Sequence, residues 1–128
     1  MRVEFLESTD PAENAACEEQ LFRMRPFDEE PRLLFYTNAP CVQYGRNQNP
    51  LCECNWQWCQ ENHIPVLQRV SGGGTVWHDL GNQNYAFILP RSDYSPDRIL
   101  TLVVETLQDL GVTNARFCKR YSVWHDDK

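Results

Sequence analysis

The sequence has no long apolar run, no excess of basic residues and no basic-then-apolar pattern at its N-terminus, and each absence argues against a class of protein. No stretch approaches the roughly 18 apolar residues that a membrane-spanning helix needs, and the N-terminus lacks a basic-then-apolar signal pattern. Lys and Arg total 12 against 18 Asp and Glu, a net charge of −6, whereas nucleic-acid binding needs a basic surface. We therefore expect a cytoplasmic protein with neither a membrane nor a nucleic acid as its main partner.

Internal repeats, low-complexity segments and linkers are also missing from the 128 residues. A chain of this length can bury one modest core. We therefore treat residues 1–128 as a single domain.

The six cysteines lack the spacing of a metal site. No Cys-x-x-Cys pair occurs, and the cluster of Cys52, Cys54 and Cys59 has no second half downstream. Without a signal peptide, disulfides are also disfavoured. We predict free thiols and no metal site for the full set: Cys17, Cys41, Cys52, Cys54, Cys59 and Cys118.

The most informative stretch is glycine-rich. Three consecutive glycines at 72–74 lie between an apolar run ending at Leu67 and another beginning at Thr75. Glycine reaches positive φ without a steric penalty, so the pattern predicts strand, tight turn, strand. A turn without Cβ atoms lets a phosphate or carboxylate approach backbone N–H groups, and Arg69 can neutralise its charge. On the glycines alone, a plain hairpin beside a surface arginine remains the alternative.

A polar cluster follows these glycines and includes His78, Asp79, Asn82 and Asn84. Polar groups this dense beside buried strands need hydrogen-bond partners, and a ligand is one candidate. Taken singly, His78 fits a structural histidine and Asp79 a turn carboxylate.

A second polar loop covers residues 45–50 and carries Arg46, Asn47, Gln48 and Asn49 in a row after Gly45. Four polar residues after a glycine satisfy a solvated turn. Loops at strand ends also carry chemistry, so these residues alternatively line the mouth of a pocket.

Periodicity and capping signals predict an α+β fold with a largely antiparallel sheet flanked by helices. The helices would run from an Asp10 cap to about 26, from 51 to 62, and from a Ser95 cap to Gly111. Strands 33–36 and 41–44 would form a hairpin, with 33–36 a central strand, and strand 84–89 would also be central because both its faces are apolar. The other predicted strands are 3–6, 64–69 and 75–78, and 115–118 would pair with 121–124.

Three blocks resemble the lipoate–protein ligase family in the right order. Arg69 with residues 71–82, Ser-Gly-Gly-Gly-Thr-Val-Trp-His-Asp-Leu-Gly-Asn, looks like the family signature. Residues 44–50, Tyr-Gly-Arg-Asn-Gln-Asn-Pro, with Glu-Cys-Asn at 53–55, are similar to its other N-terminal motif. Residues 13–19 resemble its first helix more weakly. The resemblance implies the fold that this family shares with biotin ligases.

The resemblance also implies an activity: activation of lipoate with ATP and Mg²⁺ to lipoyl-adenylate, then transfer to a lysine of a carrier domain. Carriers would be lipoyl domains of 2-oxoacid dehydrogenase acyltransferases or the glycine cleavage carrier protein. The sequence does not separate lipoate from octanoate. The implied residues that bind ATP or lipoyl-adenylate are Arg69, Ser71, Gly72, Gly73, Gly74, Thr75, Val76, Trp77, His78 and Asn82. The implied pocket mouth is Gly45, Arg46, Gln48 and Asn49.

The C-terminus departs from the family pattern. Members continue with Arg-Asn-Asp and a later functional lysine; here Arg120 matches the arginine, but Tyr121 and Ser122 replace the other two. By spacing, Lys128 is the functional lysine or the residue before it, and the family's later strands and accessory domain do not appear. Related octanoyl transferases use a cysteine nucleophile, but nothing beside Cys118 would activate it.

Three hypotheses remain open from the sequence. The chain is a ligase, a lipoate-binding half that needs a complementing C-terminal chain, or an inactive fragment. A lysine on a frayed end is held poorly, and catalytic geometry tolerates little looseness.

Overall fold

The computed structural model describes residues 1–24, 30–118 and 122–126. The chain divides into two compact units, Met1–Leu89 and Pro90–Lys128. The predicted functional Lys128 and its companion Arg120 lie outside the described residues. No helix in the described part is long and apolar enough to cross a membrane.

The first unit contains six strands and three helices among its described residues. They are β1 (Arg2–Phe5), α1 (Pro11–Arg23), β2 (Arg32–Tyr36), β3 (Cys41–Tyr44), α2 (Pro50–Glu53), α3 (Trp56–Glu61), β4 (Val66–Gln68), β5 (Val76–His78) and β6 (Asn84–Ile88). The second unit contains α4 (Pro96–Asp109), β7 (Arg116–Phe117) and β8 (Val123–Trp124). The predicted α+β class is confirmed.

The strands form separate small sheets instead of the one sheet expected. The first has the order β1-β2-β6, with β1 parallel and β6 antiparallel to β2. The second has the order β4-β3-β5, with β4 parallel and β5 antiparallel to β3. β7 and β8 form an antiparallel pair in the second unit, as predicted. Pairing is therefore mixed in both larger sheets.

The predicted hairpin between β2 and β3 is wrong, because the two strands belong to different sheets. Residues 37–40 carry the chain from one sheet to the other. Asn38 in this connection is fully buried and hydrogen-bonded to side chains from distant parts of the chain. An asparagine that commonly marks an exposed turn is here a buried crossover residue.

The prediction of a central strand at 84–89 is also wrong. Among the described strands, β6 pairs with β2 alone and so lies at an edge. β2 is the central strand, and its Leu34 is the most buried large side chain in this sheet. The apolar alternation of 84–89 did not distinguish the two positions.

Helix α1 begins as predicted. Asp10 Oδ1 accepts hydrogen bonds from the backbone N–H groups of Ala12 (2.8 Å) and Glu13 (3.0 Å), and Pro11 occupies the first turn. The helix ends at Arg23, with Met24 as its C-cap. Its buried face carries Asn14, which has consequences for the site.

The single helix predicted over 51–62 is two short helices. Cys54 is extended, with ψ 161°, and the Asn55 side chain accepts a hydrogen bond from the Trp58 N–H, so a new helix begins there. A capping asparagine competes with continuation of the helix, which the apolar spacing alone did not reveal.

In the second unit, α4 follows its predicted signals. Ser95 is the N-cap, Pro96 occupies the first turn, and Gly111 follows the helix with a left-handed φ of +95°. All six cysteines are free thiols, and no group of three metal-ligating side chains occurs among the described residues.

Candidate functional site

The loop at residues 45–50 and the glycine segment, residues 71–74, meet at the same end of β3. β3 is the centre strand of its sheet, and the loop at 45–50 leaves its C-terminal end. The glycine segment follows β4, which is parallel to β3, so it begins at the same end of the sheet. The backbone N–H of Arg46 donates to the Ser71 carbonyl at 3.0 Å. β4 and β5 lie on opposite sides of β3, so the glycine segment connects two strands that are not neighbours and is not a hairpin turn.

Gly45 is the point of closest approach between the loops. It is buried, and a Cβ added there would collide with the backbone carbonyl of Gly73. Gly73 itself has a left-handed φ of +100°, a conformation that favours glycine. These two glycines therefore allow one loop to lie directly against the other.

Gln48 joins the loops through its side chain. Its Oε1 accepts hydrogen bonds from the Gly45 N–H (3.2 Å) and the Thr75 hydroxyl (2.8 Å). Gln68 Nε2 adds a bond to the Arg46 carbonyl at 3.0 Å. Gln48 and Thr75 thus hold the loops together. Asn49 is the N-cap of α2, and its predicted place at the pocket mouth stays a prediction.

The Arg69 guanidinium holds the glycine segment through hydrogen bonds to its backbone carbonyls. Its NH1 donates to the Gln43 carbonyl at 3.1 Å, and its NH2 donates to the carbonyls of Gly72 (3.1 Å) and Gly74 (2.7 Å). These bonds use three of the five guanidinium N–H donors. Burial lowers the pKa of Arg69, opposed by the nearby Glu18 carboxylate and Tyr36. The bonds turn carbonyl oxygens of the segment toward the cation.

The backbone amides on the same segment are left exposed. Among the described residues, no protein acceptor takes a hydrogen bond from the N–H groups of Ser71, Gly72 or Gly73, and all three residues are exposed. Successive amides with a cation behind them are a suitable site for an anion. Arg69 thus shapes the segment and adds positive charge beside it, and ligand binding by this loop stays a prediction.

Beside Arg69 lies a narrow cleft between α1 and the strands. Its void of about 20 Å³ is room for about one water molecule. The lining includes Glu18, Glu19, Tyr36, Gln43, Arg69 and Val70. The Tyr36 hydroxyl donates to Glu18 Oε2 at 2.8 Å, and burial together with that carboxylate raises the pKa of Tyr36.

His78 lies at the end of a buried amide chain. Asn14 Nδ2 contacts the carbonyls of Ser8 (2.9 Å) and Thr37 (3.1 Å) and Asn38 Oδ1 (2.9 Å), and Asn38 Nδ2 lies 3.1 Å from His78 Nδ1. The pKa of His78 is lowered by burial and then by the positive charge of Arg69, while the Asp79 carboxylate opposes the shift. Burial and the Arg69 charge therefore both favour the neutral imidazole of His78.

Asp79 and Asn82 form a closed turn. The Asp79 carboxylate accepts bonds from the Gly81 N–H (2.9 Å) and Trp77 Nε1 (3.1 Å), and Asn82 Oδ1 accepts from the Asp79 N–H at 3.2 Å. The turn-carboxylate interpretation of Asp79 fits this geometry. Val76 and Trp77 are 41% and 45% exposed, so neither is a core residue.

Sequence reasoning did not select several residues of this site: Asn14, Glu18, Tyr36, Asn38 and Gln43. A polar residue on the buried face of a helix was an available signal for Asn14. Nothing local marked Asn38 or Gln43, because their roles arise from contacts between distant segments.

The comparisons with known proteins agree on one family. The family model for the lipoyl protein ligase A/B catalytic domain matches residues 10–128. A Schizosaccharomyces pombe protein described as a candidate lipoate-protein ligase A is 38% identical over 122 residues, 95% of this chain and 33% of the relative. Lipoate–protein ligase 1 of Staphylococcus aureus is 39% identical over 118 residues, 90% of this chain and 35% of the relative. The chain thus spans about a third of the length of these curated relatives.

Three solved structures share the fold at similar identity. A lipoate-protein ligase A bound with ATP has a TM-score of 0.79 and 28% identity, covering 90% of this chain and 48% of that one. A bi-partite lipoate protein ligase of Thermoplasma acidophilum, studied with its E2 lipoyl domain, has a TM-score of 0.81 and 28% identity, covering 92% and 48%. A T. acidophilum protein of this type with bound lipoic acid has a TM-score of 0.82 and 27% identity, covering 99% and 55%.

The family match over most of the chain and the loops that meet at the β3 edge lead to the same assignment. This chain belongs to the lipoyl protein ligase A/B catalytic domain family.

Proposed function

We propose that this chain provides the ATP- and lipoate-binding part of a lipoate–protein ligase. The observation that carries the proposal is the glycine segment, whose residues 71–73 are exposed and leave their backbone N–H groups without a protein acceptor among the described residues, beside the half-buried Arg69 guanidinium. Relatives that bind ATP or lipoic acid share the fold, which supports the same ligands here.

The reaction proposed has two steps. A carboxylate oxygen of lipoate attacks the α-phosphorus of ATP, and pyrophosphate leaves. A carrier lysine then attacks the acyl carbonyl, AMP leaves with the electrons of the broken bond, and the amine gives up a proton. Carriers are the lipoyl domains of 2-oxoacid dehydrogenase acyltransferases or the glycine cleavage carrier protein. The adenylate is itself the activated acyl group, so no covalent enzyme intermediate is needed.

In this proposal the chain's residues bind and orient. Exposed amides of the glycine segment donate to phosphate or carboxylate oxygens. Arg69 holds those amides in place and adds positive charge, which stabilises the charge that develops at the α-phosphate. Thr75 and Gln48 keep the neighbouring loop in register. Trp77 and Val76 offer exposed apolar surface for the nucleotide or the acyl chain.

Mg²⁺ would neutralise phosphate charge when it is bound with ATP. We propose that this cation arrives on the ATP phosphates. Mg²⁺ ordinarily binds in this way, through substrate phosphates and one or two carboxylates.

The second candidate is a binding half that acts only with a partner chain. The bi-partite ligase of T. acidophilum, similar in fold over 92% of this chain, favours it. Under this alternative, a complementing chain carries the functional lysine in place of Lys128.

The decisive test is lipoate-dependent ATP–pyrophosphate exchange by the purified chain with Mg²⁺. Arg69→Ala should reduce exchange roughly 100-fold or more, since loss of one donor at a developing charge costs about that much. The matched control is Arg91→Ala, which removes the same charge from an exposed position in the second unit and should leave exchange unchanged.

Arg69 also braces the loop, so the variant needs a fold check and a second substitution. Backbone NMR spectra should show changes confined to the two loops, and Arg69→Lys, which keeps the charge but not the fork of donors, should retain part of the exchange. Lipoate binding without exchange would favour the binding half. Absence of both lipoate binding and exchange in the folded chain would contradict the proposal.

A further inference from the structure

The amide chain formed by Asn14 and Asn38 fixes the chemistry of His78. Two of the groups that Asn14 Nδ2 contacts are backbone carbonyls, of Ser8 and Thr37. A carbonyl oxygen can only accept, so the Asn14 atom facing them must be the NH₂ group. The orientation of the first amide is therefore set by the backbone.

The same NH₂ group lies 2.9 Å from the side chain of Asn38. A second NH₂ there would place two donors against each other, so the Asn38 atom facing Asn14 must be its oxygen. The NH₂ group of Asn38 then faces His78 Nδ1 at 3.1 Å. Asn14 and Asn38 are 1% and 0% exposed, so water cannot easily replace these bonds.

A donor facing Nδ1 decides both the tautomer and the charge of the ring. Nδ1 must accept, so in the neutral ring the hydrogen is on Nε2. An imidazolium would carry a hydrogen on each nitrogen and direct one at the Asn38 NH₂. The charged neighbours of the ring are Arg69, whose positive charge also disfavours the imidazolium, and Asp79, whose carboxylate acts in the opposite direction.

We infer that Asn38, oriented by Asn14, is a positioning residue that holds His78 as the neutral Nε2–H tautomer. Under the proposed function, this N–H is available to donate to the acyl substrate. The tautomer follows from the hydrogen bonds of the protein alone. The donation to substrate rests on the proposed function. His78 in this role is a hydrogen-bond donor and not a base.

The first experiment measures the tautomer directly in the ligand-free chain. The sequence has three histidines, so long-range ¹⁵N–¹H spectra of the labelled protein at neutral pH resolve each ring, and His78→Gln assigns the signal. We expect a protonated Nε2 and an unprotonated Nδ1. A hydrogen on Nδ1, in either a neutral or a charged ring, would overturn the inference whatever the protein's activity.

A substitution at Asn38 should reverse the tautomer. Asn38→Asp keeps an oxygen for Asn14 and places a second acceptor against His78 Nδ1, so the hydrogen should move to Nδ1. Gln60→Glu makes the same charge change on an exposed site of α3 and should leave the ring signals as in wild type. An unprotonated Nδ1 in folded Asn38→Asp would contradict the inference. If that variant does not fold, the wild-type spectrum still decides.

Calorimetric titration with lipoate tests the second half. Asn38→Leu removes the orienting donor without adding charge, and the affinity should fall roughly tenfold or more, the loss expected for a hydrogen bond to a charged group. In a His78→Gln background the same substitution should have little further effect, because it acts through the ring.

An equal loss from Asn38→Leu in both backgrounds would show a general packing role and overturn the positioning role. If the wild-type chain binds no lipoate, the proposed function fails and the donation to substrate fails with it. The tautomer would still stand on the NMR spectra.

Discussion

At the scale of single residues, the site depends on where a side chain is absent as much as on where one is present. Gly45 lies so close to the Gly73 carbonyl that no Cβ fits, whereas Gly72 has open space around the position of a Cβ and no left-handed φ. Both glycines lie in motifs of the sequence, but packing requires a glycine only at position 45.

Gly45→Ala should therefore destabilise the chain by about 1–3 kcal/mol, because backbone must move to relieve the overlap. The measurement is urea-induced unfolding followed by tryptophan fluorescence. Gly72→Ala is the matched control, with an expected change within about 0.5 kcal/mol. Equal unfolding midpoints for the two variants would mean that the loops do not touch at Gly45.

Other residue-level expectations were only partly specific. The sequence indicated Arg69 as an anion contact; the structure adds three backbone carbonyls to its partners, while the anion contact itself stays a prediction. Asn49 is a helix cap, and its place at a pocket mouth also stays a prediction. The cap partner, the Leu51 N–H, is two residues away, whereas the Gln43 carbonyl that Arg69 contacts is 26 residues away. A local pattern contains the first kind of contact and not the second.

At the scale of elements, helix boundaries followed capping chemistry closely. Asp10 with Pro11 and Ser95 with Pro96 each began a helix. Where a cap was overlooked, at Asn55, one expected helix became two.

Asn55→Ala should destabilise the first unit by about 1 kcal/mol, the usual cost of losing an N-cap. Chemical denaturation followed by circular dichroism measures it. Asn55→Ser should recover most of the loss, because serine also caps, and Asn47→Ala tests an exposed asparagine of the neighbouring loop. A loss at Asn47 as large as at Asn55 would argue against capping as the cause.

Strand pairing was the least predictable element property. Two apolar segments separated by four residues suggested a hairpin, yet β2 and β3 centre different sheets. Period and composition report that a segment is a strand and how buried it is. They do not report its neighbours, which here include the parallel pairs β1–β2 and β3–β4.

At the scale of the whole molecule, the described candidate site lies within one unit. The two polar loops, the cleft beside Arg69 and the Asn14–Asn38–His78 chain all belong to Met1–Leu89. Of the residues after Leu89, the predicted site includes Lys128, which lies outside the described residues.

A fragment of residues 1–89 should keep the loop geometry and bind lipoate within about threefold of the full chain. Amide NMR shifts of the glycine segment and calorimetric titration with lipoate are the measurements. Residues 90–128 alone, the control, should bind no lipoate. A folded 1–89 fragment that has lost the affinity of the full chain would place an essential part of the site elsewhere.

The sequence by itself determined the family, the α+β class, the caps of the first and last helices and the two loops proposed to form the site. These features depend on contacts within a few residues: glycines that permit a backbone conformation, side chains that cap the next turn, and motifs that keep their spacing.

The tertiary structure decided what those loops do to each other. Placing β3 between β4 and β5 brings Gly45 against Gly73 and lets Arg69 donate hydrogen bonds to the backbone of the glycine segment. It also buries Asn38 between Asn14 and His78. The Asn14–Asn38 and Asn38–His78 contacts join residues 24 and 40 positions apart. Because buried polar groups need hydrogen-bond partners, the chemistry of His78 depends on the fold and not on its motif.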